Sequence, residues 1–214
     1  MSWALIGLLL TGVAAYATPL LLAALGGLAS ERSGVINIGL EGKMLGAACA
    51  AAIVGLWLGS IWAGILAAVV MAVLLSLLHA WLTQAFQVDH VISGMGINAL
   101  AIGGTGYLAE AVPVLQSGGT LPRFPEPLFW FLALAASVGF AVFLARTRGG
   151  LRLMAVGSNP DKSRLMGLDP VKIRFKALIV TGVFCGLAGA LIAGTAGGFA
   201  KDMTAGRGYI ALAA

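Results

Sequence analysis

The chain has 214 residues, 60% of them hydrophobic and 10% charged, with a net charge of +5, and its mean hydropathy is +1.00. Soluble domains carry roughly 25% charged residues, so this supply excludes an ordinary water-facing globule. It predicts an all-α, polytopic helical membrane protein, one domain over residues 1–214 with about six spans.

No charge precedes Glu31, and residues 3–29 supply the first span. That stretch lacks a basic leading region and is too long for the apolar part of a signal peptide, so it is retained. Thr18-Pro19 falls inside it, where proline removes a backbone donor and favours a kink. A polar stretch follows at 30–44, SERSGVINIGLEGKM, holding Glu31, Arg32, Asn37, Glu41 and Lys43 among Gly34, Gly39 and Gly42. The uncharged run 44–88 is too long for one crossing and divides into spans near 40–57 and 60–86, with the break at GLWLGS. Further spans are expected near 91–112, 128–145 and 177–199. Between the fourth and fifth lies VPVLQSGGTLPRFPEP (112–127), whose proline and glycine content predicts an exposed loop.

The loop 146–176 contains eight of the cations, Arg146, Arg148, Arg152, Lys162, Arg164, Lys172, Arg174 and Lys176, against Asp161 and Asp169. It is therefore +6, leaving −1 for the rest of the chain. A short loop this basic stays on the cytoplasmic side, so the high isoelectric point needs no nucleic acid, and no folded basic module suggests one. Alternation of complete crossings then puts 30–43 and QVDH (87–90) inside, and the 113–127 loop and N-terminus outside. Within the basic loop, Asn159 precedes Pro160, which suits a first helical position. A short helix DKSRLMG follows, with Gly167 as its stop and Asp169-Pro170 as a further turn. Such a helix is either a docking knob for another protein or a solvated turn that fixes topology, and pattern alone leaves both open.

Chemistry-bearing patterns are sparse. Cys49 and Cys185 fall inside spans and read as small core residues. His79 and His90 lack ligand spacing, so no metal site is expected. GSNPDKS (157–163) lacks the glycine that a phosphate loop places before its lysine and follows no strand. No nucleophile motif is present, so neither a catalytic residue nor a cofactor is expected. The small-residue stripe Gly182, Gly186, Gly189, Ala193 and Gly197 predicts close helix packing. Polar residues at membrane depth are the sharper signal, because an ionisable group there tends to face the bundle interior or a watery path. Asn37, Glu41, Asn98 and Glu110 are the candidates, with Glu110 near a span end. Asn37 and Glu41 share a face if their stretch is helical, but the nearby glycines argue for broken backbone, acceptable only where protein wraps it or it lines a cavity. Glu41 could instead be an interfacial carboxylate paired with Lys43 or Arg32.

Four blocks carry a family resemblance: ALGGLASERSGVINIGLEGKMLGAACAA (24–51), VDHVISGMGINALAIGGTGYL (88–108), VGSNPDKSRLMGLDPVKIRFKALIVTGVFCGLAGALIA (156–193) and GRGYIALAA (206–214). Together they resemble the membrane permease subunit of bacterial ABC importers of the branched-chain amino acid, ribose and nucleoside family, closest to the nucleoside or simple-sugar branch. The resemblance implies a multi-pass protein of the bacterial cytoplasmic membrane, without ATPase activity of its own. It would partner an ABC ATPase subunit, a second permease subunit, identical or different, and an extracytoplasmic substrate-binding protein, within membrane lipid. It places Asn159, Pro160, Arg164 and Gly167 in the ATPase coupling loop, and Asn37, Glu41 and Asn98 on or near the substrate pathway. Family members continue beyond GRGYIALAA, so an incomplete C-terminus is expected. A branched-chain amino acid permease, a gradient-driven transporter using Glu41, and a non-transporting scaffold are the competing expectations.

Overall fold

The computed structural model describes residues 3–122 and 126–214, so residues 123–125 of the expected 112–127 loop, and residues 1–2 of the expected domain, lie outside the described residues. Among the described residues ten helices follow one another: α1 (Trp3–Glu31), α2 (Leu40–Leu58), α3 (Ile61–Gln84), α4 (His90–Ala111), α5 (Pro113–Gln116), α6 (Glu126–Arg146), α7 (Arg148–Ser158), α8 (Pro160–Leu165), α9 (Pro170–Ala196) and α10 (Arg207–Ala213). No strand occurs among the described residues. Six of the helices, α1, α2, α3, α4, α6 and α9, are long and apolar enough to cross a membrane. The protein is thus the polytopic all-α chain that its composition predicts. A helix satisfies its own backbone, which hydrocarbon cannot do for it.

The small-residue stripe explains the packing. α2 and α9 form the buried centre, with α1, α3 and α4 around them and α6 at the rim. A Cβ added to Gly186 would lie 2.5 Å from the Cα of Val69, and one on Gly182 would lie 2.7 Å from the Cα of Val73. On another side of α9, Gly189 rests on the Met44 carbonyl and Ala47. These backbone-to-backbone approaches let van der Waals contact do what the hydrophobic effect cannot do between helices in lipid. Cys49 and Cys185 are buried and unpaired, as expected of core fillers.

The structure departs from expectation at two connections. The sixth span starts at Pro170 rather than 177, so the basic loop is shorter and largely helical. The Asp169 side chain accepts the Lys172 backbone N–H at 3.2 Å, which makes Asp169-Pro170 a helix start rather than a turn. That hydrogen bond, joined by the Lys172 ammonium, holds the Asp169 carboxyl below its usual range. The first turns of α9 carry Lys172, Arg174 and Lys176 beyond the apolar stretch, whose hydrophobicity alone had set the expected boundary. In the 112–127 loop, Leu121 is not exposed: its N–H donates to the Gly197 carbonyl at 2.9 Å and its side chain fills the space over Gly55. Pro19 lies within a continuous α1, where the neighbouring Thr18 hydroxyl donates to Ala14.

Leucine at Gly186 should force α9 off α3, a steric cost of about 1–3 kcal/mol or more. The measurement is the thermal unfolding midpoint in detergent, which should fall for Gly186→Leu. It should not fall for Gly139→Leu, where nothing lies within 4 Å.

Candidate functional site

The polar stretch that interrupts the first two spans is a helix stop, a short non-helical segment and a helix start. α1 ends with the Val35 N–H reaching back to the Ser30 carbonyl and the Gly34 N–H to that of Glu31. Gly34 has φ +82°. This is a Schellman close, which needs a residue that tolerates the left-handed region, and it buries Val35 against Ala80 and Leu178. α2 then begins at Leu40 without a capping side chain from its own N-cap residue, Gly39.

The missing cap comes from another helix. Asn98, eight residues into α4 and so about 12 Å from its start, accepts the Gly42 N–H on Oδ1 at 2.8 Å. Its Nδ2 donates to the Ile38 carbonyl at 3.0 Å and to the Tyr209 hydroxyl at 2.9 Å. One amide thus serves both sides of the break. The fit requires Gly42, whose added Cβ would lie 2.8 Å from the Asn98 Cα, and Gly94, whose added Cβ would lie 2.9 Å from the Gly39 nitrogen.

Glu41 is buried and pairs with neither Lys43 nor Arg32, so the interfacial ion pair is not what forms. Its Oε1 accepts the Gly206 N–H at 2.9 Å and its Oε2 the Gly208 N–H at 2.5 Å. Backbone donors suit the carboxylate because they bring no side-chain entropy and hydrogen-bond an anion strongly. Gly206 turns with φ +80°, and any side chain on Gly208 would collide with the Glu41 backbone. The GRGY sequence at 206–209 therefore docks on the start of α2 through Gly206 and Gly208 and on α4 through the Tyr209 hydroxyl at Asn98.

Behind Glu41 lies a second layer. Lys43 is fully buried, its Nζ donating to Asn37 Oδ1 at 2.8 Å, with no carboxylate within 4 Å among the described residues. His79 Nδ1 lies 2.9 Å from Ser93 Oγ, joining α3 to α4. Asn37, Glu41 and Asn98 thus come together around the break; Asn37 precedes α2 and shares no helical face with Glu41. Lys43, His79, Ser93, Gly206, Gly208 and Tyr209 complete the cluster and were missed as members. The available signal was polarity inside spans for Lys43, His79 and Ser93. Nothing local in GRGY announces a partner 165 residues away. Glu110 lies apart, in an exposed ion pair with Lys201 at 2.5 Å.

The basic connection carries the other candidate residues. Asn159 Oδ1 accepts the Lys162 N–H at 2.9 Å and caps α8, with Pro160 at its first turn. Gly167, φ +78°, closes α8 by a second Schellman pattern, Leu168 N–H to Ser163 and Gly167 N–H to Arg164. Arg164 pairs loosely with Asp161 at 3.6 Å on the surface. Beside it Leu165 and Met166 project at 89% and 76% exposure, an apolar tip ringed by charge. α7, which the sequence reading did not anticipate, is capped by the Thr147 hydroxyl and buries Gly150, Leu153 and Val156 at three-residue spacing. Its C-terminal Gly157 sits against the Arg32 carbonyl and Gly34. Arg174 donates from Nε to the Ser33 carbonyl at 3.2 Å and from an η nitrogen to Gln84 Oε1 at 3.1 Å. The break is therefore touched by the helices on either side of α8, by α7 through Gly157 and by α9 through Arg174.

Glu41→Ala should leave the buried Gly208 N–H without an acceptor, at about 1–3 kcal/mol, and the half-buried Gly206 N–H without its partner at a smaller cost. Hydrogen exchange of residues 204–213 should accelerate by at least tenfold, while α3 and α9 keep their protection.

A family model described as branched-chain amino acid transport system / permease component matches residues 9–214. The guanosine ABC transporter permease protein NupQ of Bacillus subtilis is 34% identical over 93% of this chain and 71% of its own length. The putative glucose ABC transporter permease protein TsgC13 of Haloferax volcanii is 37% identical, over 96% and 68% respectively. The nucleoside ABC transporter permease protein NupC of Lactococcus lactis is 31% identical, over 93% and 71%. No solved structure matches. With six membrane-crossing helices and this match over nearly its whole length, the chain belongs to the family of ABC transporter permease components and is a multi-pass protein of the cytoplasmic membrane.

Proposed function

We propose that the chain is the permease subunit of an ATP-driven importer of nucleosides or simple sugars, and that the 32–39 break is where a cytoplasmic motor acts on the solute path. One observation carries this reading: α7 and Arg174 bear on residues 32–34, and the same break leads within a few residues to Asn37, Glu41 and the Asn98 cap. A partner ATPase docks on α8, where Asn159, Pro160 and Gly167 hold the shape and Arg164, Leu165 and Met166 supply the contact. Its closure on ATP pushes α7 and the start of α9, Arg174 carries the push to Ser33, and the start of α2 shifts against α4. A second permease subunit supplies the facing wall, and an extracytoplasmic binding protein delivers the solute. The chain contributes no hydrolytic chemistry.

The solute class rests on the relatives and on the chemistry of the break. Amides, hydroxyls and backbone groups suit a neutral, hydroxyl-rich solute, with Asn37, Glu41 and Asn98 bordering its path. A gradient-driven mechanism would need Glu41 to release and rebind a proton during transport, and both its oxygens are held by backbone N–H groups. Competition among guanosine, glucose and leucine in reconstituted vesicles separates the solute classes, leucine being the test of the branched-chain alternative.

In vesicles containing the chain with its partner ATPase, uptake should require ATP and survive an ionophore. Arg174→Ala should cut uptake at least fivefold while ATP hydrolysis continues. Uptake that persists without the ATPase refutes the reading.

A further inference from the structure

Apart from the break, a cavity of about 390 Å³ opens between α1, α6, α7 and the start of α9. Its character changes with depth. Phe140, Phe143 and Val180 line the inner part. Phe140 lies six residues before the end of α6, hence about 9 Å into the membrane from it. The outer part is basic, with Arg152 on α7 and Lys172 and Lys176 on α9. Among the described residues Asp169 is the one carboxylate lining it, and Lys172 already pairs with it at 3.2 Å. Arg152 and Lys176 have no carboxylate within 4 Å among the described residues. Two uncommitted cations therefore stand over an apolar slot at the membrane surface.

We propose that this cavity binds one anionic phospholipid of the cytoplasmic leaflet, with its phosphate on Arg152 and Lys176 and an acyl chain against Phe140, Phe143 and Val180. A soluble phosphate compound would match the rim but leave the aromatic floor unused. A neutral lipid would match the floor but leave both cations unneutralised. Only an anionic amphiphile answers both, and juxtamembrane cations draw such lipids strongly. The proposal concerns the lipid face of the chain and does not depend on which solute it carries.

The test is native mass spectrometry on the full chain in neutral detergent, titrated with phosphatidylglycerol or phosphatidylcholine of identical chains. One phosphatidylglycerol should be retained, with a preference over phosphatidylcholine of about tenfold or more. The pair Arg152→Gln and Lys176→Gln should erase the preference, whereas Lys172→Gln, whose charge is already matched, should change it less than twofold. Val180→Trp, which fills the floor and keeps the rim, should weaken retention of both lipids. Equal retention of the two lipids by the native chain, or undiminished preference in the double variant, overturns the proposal. So does displacement of the lipid by millimolar inorganic phosphate, which would mark a headgroup-only anion site.

Discussion

A non-helical connection buried within the bundle has to find partners for backbone groups that water would otherwise take, and much of the structure around residues 32–43 follows from that requirement. An unsatisfied N–H or C=O in hydrocarbon costs several kcal/mol. The chain meets the demand with one amide, Asn98, which caps α2 from the side and holds the Ile38 carbonyl on the other flank of the gap. The flanking glycines are a geometric consequence: α4 must come close enough for a short side chain to reach backbone. Glu41 applies the same logic in reverse, a carboxylate stabilised by the N–H groups of a turn rather than by a cation.

Two kinds of contact then divide the molecule. Between α2, α3 and α9 the helices meet backbone to backbone through glycine and alanine, leaving no slack for relative movement. Around the break, close glycine approaches are joined by directional hydrogen bonds from Asn98 and Glu41 to backbone. α7 and Arg174 press on this second region.

The spans were legible because apolar length and charge spacing are local properties, and the bilayer enforces them. The small-residue stripe of α9 was legible for the same reason. What escaped was set by partners far along the chain. Glu41 looked like an ion-pair partner of Lys43 because the two are neighbours in sequence, yet Lys43 turns to Asn37 and Glu41 to residues 206 and 208. α7 was missed because two early glycines mask its three-residue burial period, and only the Thr147 cap and the support of Phe143 under Gly149 make it hold. The start of α9 was misplaced because its first turns are charged; the Asp169-Pro170 pair that fixes it is equally good grammar for a turn. Leu121 needed knowledge of the hollow above Gly55.

The dependence of Glu41 on residues 206 and 208 reaches into biogenesis. A ribosome delivers α2 to the membrane long before those two amides exist, so Glu41 goes without its backbone donors while more than a hundred and fifty further residues emerge. Assembly of this permease is therefore a process in which the start of the second span is completed only once residues 206–208 have been made.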